Sequence, residues 1–329
     1  VIEVRGLVKS YEGFTAVKGI SFDVSAGAVF GFIGPNGAGK TTTIRILATL
    51  LEPTSGRVRI DGHDVVDDPE AVRGVIGYMP DDFGVYDGIT VQEYLDFFAA
   101  AYGLTRRQRA TTVHDVMTLT DLVQHERKLV ADLSKGMRQR LCLAKTLVHD
   151  PKVLILDEPA NGLDPRARIE LRALLKELSA MGKTIVISSH ILTELSDVCT
   201  DVGIIERGEL LAAGPIHEVE AQARGIPAAS TEPGEDGAPK AAPALRCGMK
   251  FASSAATERG EAVLLARPDV SLVERRGEKE LAILFKGTED ELHKIVRAVV
   301  QDEIPLVGLS REEKDLEALF MAVTKGKVQ

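Results

Sequence analysis

The chain is 329 residues long, 44% hydrophobic and 27% charged, with a net charge of −9. A chain of this size can bury a full core and divide into two domains, and its balance is that of a globular protein. Its acidity argues against broad contact with nucleic acid or anionic lipid, and its three scattered cysteines argue against a disulfide framework or a cysteine metal centre.

In chain order, IEVRGLV (2–8), GISFDV (19–24) and VRIDG (58–62) half-alternate between apolar and polar residues, the pattern of antiparallel strands with one wet face. AVFGFIG (28–34), VLILDE (153–158) and TIVISS (184–189) are continuously apolar, as strands buried on both faces of a parallel sheet are. Helical spacing covers 91–103, 106–119, 134–148 and 166–181. The expected fold is α/β, with an antiparallel β subdomain and a helical subdomain inserted at about 83–148. No apolar run approaches the ~18 residues of a membrane span, and the first residues show neither the basic start nor the apolar stretch of a signal peptide. The expected location is therefore cytoplasmic, with any membrane role supplied by a partner.

Composition shifts after residue 222. Residues 225–245 place Pro227, Pro233, Pro239 and Pro243 among Ala, Gly, Ser and Glu, so 223–247 reads as a flexible linker. Beyond it, Thr288 to Glu291 forms a capping box ahead of Leu292, Ile295, Val296 and Val299, and Ser310 to Glu313 repeats the box ahead of Leu316, Leu319, Phe320 and Val323. With strands near 271–276, 280–286 and 303–309, residues 248–329 are expected to form a small α+β domain of ββαβα order. Its helix faces are as consistent with core packing and dimer support as with a cover over the first domain or a regulatory ligand site.

GPNGAGKTTT (34–43) follows a buried strand and precedes a helical run, and it satisfies the P-loop pattern. Gly34, Pro35, Asn36, Gly37, Ala38 and Gly39 form a loop whose backbone N–H groups wrap phosphates, and the following helix N-terminus adds partial positive charge. Lys40 reaches the β/γ-phosphates, Thr42 continues the loop into the helix, and the Thr41 hydroxyl ligates Mg²⁺. The core is thus expected to be a P-loop NTPase. VLILDEP (153–159) supplies its companion: the strand end sets Asp157 beside the metal and Glu158 toward the γ-phosphate, where it can deprotonate an attacking water. That pairing points to ATP hydrolysis. His190 ends TIVISSH at the carboxyl edge of a neighbouring strand, where a γ-phosphate sensor would stand, although a lone histidine is also an ordinary structural residue.

These motifs, together with LSKGM (133–137), resemble the ATP-binding cassette family over residues 1–222. Ser134 can cap a helix and offer its hydroxyl to an anion, and Gly136 lets backbone amides come close. One γ-phosphate cannot sit in two such cradles of a single monomer. The resemblance implies the answer: two cassettes dimerise head to tail, each serine-led signature closing over the partner's P-loop. It further implies that Tyr11 stacks on adenine, that Asp164 of NGLD (161–164) lies at the dimer interface, and that His190 is the switch histidine. Two departures stand out. Asp81 occupies the place where the family carries Gln; it can ligate Mg²⁺ but cannot donate a hydrogen bond. Lys135 and Met137 replace the usual glycine and glutamine of the signature, and Lys135 reads either as facing solvent or as meeting the partner's phosphate.

The segment DDFGVYDGIT (81–90) carries Phe83 and Tyr86 in a glycine-punctuated loop, where aromatics serve contact more than core. The resemblance implies that this loop receives a helix of an integral membrane permease encoded as a separate chain, as in drug, lipid and polysaccharide exporters. The rival reading is a soluble cassette ATPase acting on ribosomes or DNA. Such relatives carry two cassettes or long coiled coils, whereas this sequence has one P-loop, no sustained heptads and an acidic balance. A plain P-loop kinase would leave LSKGM and NGLD without a role.

Overall fold

The computed structural model describes residues 1–82, 84, 86, 88–191, 195–216, 218, 219, 244–287 and 291–311. These fall into two compact units, one within residues 1–228 and one within 229–315.

In the first unit, β1 (Ile2–Tyr11), β2 (Phe14–Val24), β4 (Ser55–Ile60) and β5 (His63–Asp64) form an antiparallel sheet in the order β2-β1-β4-β5. A second sheet runs β10-β9-β3-β8-β7-β6, where β3 is Val29–Ile33, β6 Ile76–Met79, β7 Val153–Leu156, β8 Thr184–Ser189, β9 Asp201–Glu206 and β10 Glu209–Pro215. Its neighbours are parallel except at β10, which returns antiparallel beside β9. The continuously apolar strands β3 and β7 are buried at every position, and so is β8. This is the pattern expected when both faces of a parallel sheet are covered.

Two apolar layers do the covering. Between the sheets, α1 (Lys40–Leu47) packs with Phe22, Phe30 and Phe32, whose stacked rings lie 5.1 Å (Phe22–Phe30) and 5.7 Å (Phe22–Phe32) apart. On the other face, α3 (Val91–Ala101), α4 (Arg106–Leu119), α5 (Lys135–Leu147) and α6 (Pro165–Ala180) bury Tyr94, Leu95, Leu141 and Leu175, with α2 (Pro69–Val75) leading into β6. Capping boxes fix the starts of α3 and α4: Thr90 with Glu93, and Thr105 with Gln108. The helices and the buried parallel strands stand where the sequence puts them. The strand pair β9–β10 was not foreseen. No helix among the described residues is long and apolar enough to cross a membrane.

The second unit corrects the expected order. Its described residues read β11 (Ala244–Phe251), helix Ser254–Leu265, β12 (Val270–Arg275), β13 (Glu280–Lys286), helix Leu292–Gln301 and β14 (Leu306–Arg311): βαββαβ, in which a strand and a helix precede the expected ββαβ, while the expected last helix falls outside the described residues. The strands pair antiparallel in the order β12-β13-β11-β14, the split βαβ arrangement of ferredoxin-like domains. β11 begins inside the stretch read as linker and becomes an inner strand. Cys247, Met249 and Phe251 on it are buried with Ile283, Phe285, Ile295 and Val299. Ser310 does not open a helix: it lies in β14 opposite Gly248. Thr288 and residues 312–329 lie outside the described residues.

Candidate functional site

Parallel strands end together, so the carboxyl edge of the second sheet gathers residues far apart in sequence. Here the loop after β3, the loop after β6, the Asp157–Glu158 pair after β7 and His190 after β8 converge. Asn36, Gly37, Gly39, Lys40, Thr41, Thr42, Asp81, Glu158 and His190 all line one cleft of about 500 Å³.

The loop 34–39 turns sharply into α1. Gly39 is the N-cap with φ 109°, and a Cβ there would stand 2.7 Å from the Ala16 carbonyl oxygen, so only glycine fits. No side chain caps α1, which leaves its first N–H groups facing the cleft mouth as an anion cradle. Ala38 N–H bonds the Pro35 carbonyl at 3.2 Å and tightens the turn. Lys40 is 5% exposed; its Nζ donates to the carbonyls of Gly34 (2.7 Å) and Pro35 (3.2 Å) and lies 3.3 Å from Glu158 Oε1.

Asp157 is 1% exposed. Its Oδ1 accepts from Ser188 Oγ at 2.6 Å and from Thr41 Oγ1 at 3.4 Å, and Ser188 Oγ in turn accepts from Glu158 N–H at 2.9 Å. Burial pushes the Asp157 carboxyl above the ordinary carboxylate range; the bonds from Ser188 and Thr41 oppose this, and the charges of Asp81 and Glu158 add to it. Two hard oxygen ligands, a hydroxyl and a carboxylate short of positive charge, thus stand together at the phosphate cradle. That donor set suits Mg²⁺.

Glu158 is shared: Oε1 faces Lys40, and Oε2 bonds His190 Nδ1 at 2.8 Å. Its backbone φ of +48° is left-handed, unusual for a side chain of this size and a common mark of functional turns. Asp81 accepts a 2.9 Å bond from Asn161 Nδ2 through Oδ1, leaving its second oxygen free of that bond.

Ser134, Lys135, Gly136 and Asp164 line a different cleft of about 520 Å³, and none of its residues is shared with the first. Ser134 caps α5 by accepting from Met137 N–H at 3.3 Å, as the sequence suggests. Asp164 caps α6 by accepting from Ala167 N–H at 2.9 Å. Arg140 ties the base of this face to Asp121 at 2.9 Å and to Glu170. The side chain of Lys135 runs over Gly162, filling the space a Cβ would need there. Gly136 has no comparable demand: a Cβ on it would meet Ala167 and Leu163 carbons at an ordinary 3.7 Å. The chain's own packing does not require glycine at 136.

Tyr11 is 46% exposed, with Lys9 Nζ 5.4 Å from its ring centroid, and it does not line the first cleft. Phe14, its partner across the β1–β2 turn, does line it and is 59% exposed. Phe14, Ser188 and Asn161 are the residues sequence reasoning passed over. An exposed aromatic at a strand start and two hydroxyls closing an apolar strand were the available signals. Phe83 lies outside the described residues. Tyr86 is 56% exposed and packs against Phe97 (5.9 Å) and Tyr94 (6.3 Å).

The ABC transporter family matches residues 17–161. The daunorubicin resistance ATP-binding protein DrrA3 of Streptomyces coeruleorubidus is 36% identical over 68% of this chain and 71% of its own length. The probable multidrug ABC transporter ATP-binding protein YbhF of Escherichia coli strain K12 is 35% identical over 68% of this chain. There the chain spans 38% of the relative's length, well under half. A solved ATP-binding subunit of an ABC transporter superposes with a TM-score of 0.63 at 31% identity, covering 70% of this chain and 95% of that one.

A buried carboxyl held above its ordinary range costs folding free energy once ionised, so stability falls as pH rises through its folded-state pKa. Asp157→Asn keeps an acceptor for Ser188 and Thr41 and removes the charge. Its melting temperature near neutral pH, without nucleotide or divalent cation, should exceed that of wild type by a few degrees in differential scanning fluorimetry. A lower value would mean that the wild-type charge is already compensated.

Proposed function

The chain belongs to the ABC transporter family, and from that premise we propose that it is an ATP-hydrolysing subunit that dimerises on ATP and drives a separate integral membrane permease, of the exporter type. The observation that carries this reading is the division of the phosphate-binding equipment between two clefts. The P-loop, the acidic pair and His190 line one; the Ser134 helix start, Gly136 and Asp164 line the other. A glycine at 136 that its own packing does not require is explained by a surface approaching from a second subunit, identical or paralogous. Lys135 reaches the same face.

In this reading the N–H groups at the start of α1 and Lys40 bind the β- and γ-phosphates, and Phe14, paired with Tyr11 across the β1–β2 turn, offers the aromatic face at the base end. Thr41 and Asp157 would hold Mg²⁺, which would neutralise charge on the phosphates when bound, while Asp81 is engaged with Asn161. Glu158 takes a proton from water as its oxygen attacks the γ-phosphorus. The bond to the β-bridging oxygen breaks, giving ADP and inorganic phosphate. With its proton on Nδ1, His190 donates to Glu158 Oε2 and holds the carboxylate in place. ATP clamps the pair and hydrolysis releases it, so the permease is carried between states.

The same reading assigns the exposed Tyr86–Phe97 aromatic surface to the permease. It places the protein on the cytoplasmic side of a membrane through that partner and gives it no nucleic-acid role. The linker, cut back to the residues ahead of Ala244, would join the cassette to the βαββαβ domain, and that domain supports the dimer.

Glu158→Gln should retain nucleotide binding and lose turnover by about 10²–10⁴-fold, read by phosphate release beside a fluorescent-nucleotide titration. Near-normal turnover would remove Glu158 from the role of base. Gly136→Ala separates the composite site from a structural glycine. The variant should match or exceed wild-type thermal stability, because alanine favours a helix by up to about 1 kcal/mol. ATP-induced dimerisation in the Glu158→Gln background should nonetheless weaken in size-exclusion chromatography. An undiminished dimer would sink the two-subunit site. Tyr86→Asp should abolish co-purification with the membrane subunit while leaving basal ATPase intact; retained co-purification would exclude this surface as the dock.

A further inference from the structure

Asp81 and Asn161 form a pair whose chemistry the account above leaves unused. Each lines the cleft that holds Lys40, Thr41, Glu158 and His190, and Asn161 Nδ2 lies 2.9 Å from Asp81 Oδ1. An ionised carboxylate accepts hydrogen bonds and cannot donate. Asp81 therefore decides which end of the Asn161 carboxamide faces it: the NH₂ end turns to Asp81, and a flipped amide would set two acceptors against each other. One N–H of Asn161 is spent on this bond. Its second N–H and its carbonyl oxygen make no other bond among the described residues.

The backbone fixes the same residue a second time. Asn161 N–H donates to the Glu158 carbonyl at 2.9 Å, closing the turn in which Glu158 holds its left-handed φ of +48°. An oriented amide, with one donor free, thus stands a single turn from the proposed base.

We propose that Asn161 is a substrate-binding residue of this cleft, donating its free N–H to a terminal phosphate oxygen, and that Asp81 is the positioning residue that aims it. The proposal rests on the ATPase reading and names a further contact in that site. It also gives a reason for an acidic residue at 81 so near Asp157: the carboxylate is there to orient a neutral amide.

The contact reaches the terminal phosphate, so ATP should feel its loss and ADP should not. In the Glu158→Gln background, where ATP persists, Asn161→Ala is expected to weaken ATP binding about tenfold, as for one hydrogen bond to a charged group, and to leave ADP binding unchanged. Asp81→Ala should reproduce part of this effect. The double variant should be no worse than Asn161→Ala alone, because the two residues act as one unit.

The decisive variant exchanges the partners. Asp81→Asn with Asn161→Asp rebuilds the bond with donor and acceptor reversed but leaves no N–H at 161. A mere strut would be restored by the exchange; an aimed donor would not. Restored ATP affinity, or equal losses for ATP and ADP in Asn161→Ala, would overturn the proposal. Both residues are exposed, and thermal denaturation will report whether each variant is folded. Wild-type protein that binds neither nucleotide would overturn the ATPase reading and this inference with it. Wild type that hydrolyses ATP, beside a fully active exchange variant, would overturn this inference alone.

Discussion

A buried ammonium governs the organisation of the nucleotide cleft. Lys40 lies out of water at the foot of a glycine-rich loop, and an unpaired charge in that position would be very costly. Three groups compensate it: the Gly34 and Pro35 carbonyls and one oxygen of Glu158. The loop must therefore curl back over its own lysine, which turns its amides outward and delivers them with the start of α1 to whatever anion arrives. A phosphate on Lys40 takes over part of the compensation. In the proposed mechanism Glu158 would then be left to His190 and to water, so that one carboxylate would serve as counter-ion and as base.

The parallel sheet makes this arrangement possible. Asp157, Glu158, Ser188 and His190 come from two strands that neighbour each other in register, β7 and β8, and Ser188 joins them by bonding both Asp157 and the Glu158 backbone. The acidic pair is thus fixed by a hydroxyl from the adjacent strand rather than by its own loop. Rigid strand ends carrying mobile chemistry on short loops is a general economy of α/β folds.

Legibility followed the range of the interactions. The P-loop, the acidic pair and the Ser134 cap are contiguous in sequence, and each sits on a strand or helix with an unambiguous pattern. Ser188, Asn161 and Phe14 matter through partners 31, 80 and several loops away, and the local signals they carry do not name those partners. The second unit was harder for another reason. β11 emerges directly from an Ala- and Pro-rich stretch. The helix Ser254–Leu265 buries Ala256, Thr257 and Gly260 beside Leu264, residues too small to give a strong apolar period. Ser310 shows the opposite error: a T/S-x-x-E pattern is local, and strand pairing with β11 overrode it.

The segment NGLD has an unusual address. Asn161 faces the cleft of the P-loop, while Gly162, Leu163 and Asp164 face the cleft of Ser134, so one peptide bond separates the two walls. In a head-to-tail pair each such segment would border both catalytic centres. Occupancy at one centre would then be sensed at the other through a lever three or four residues long, and turnover would take on the cooperativity of a two-stroke engine even though each half is a single short chain.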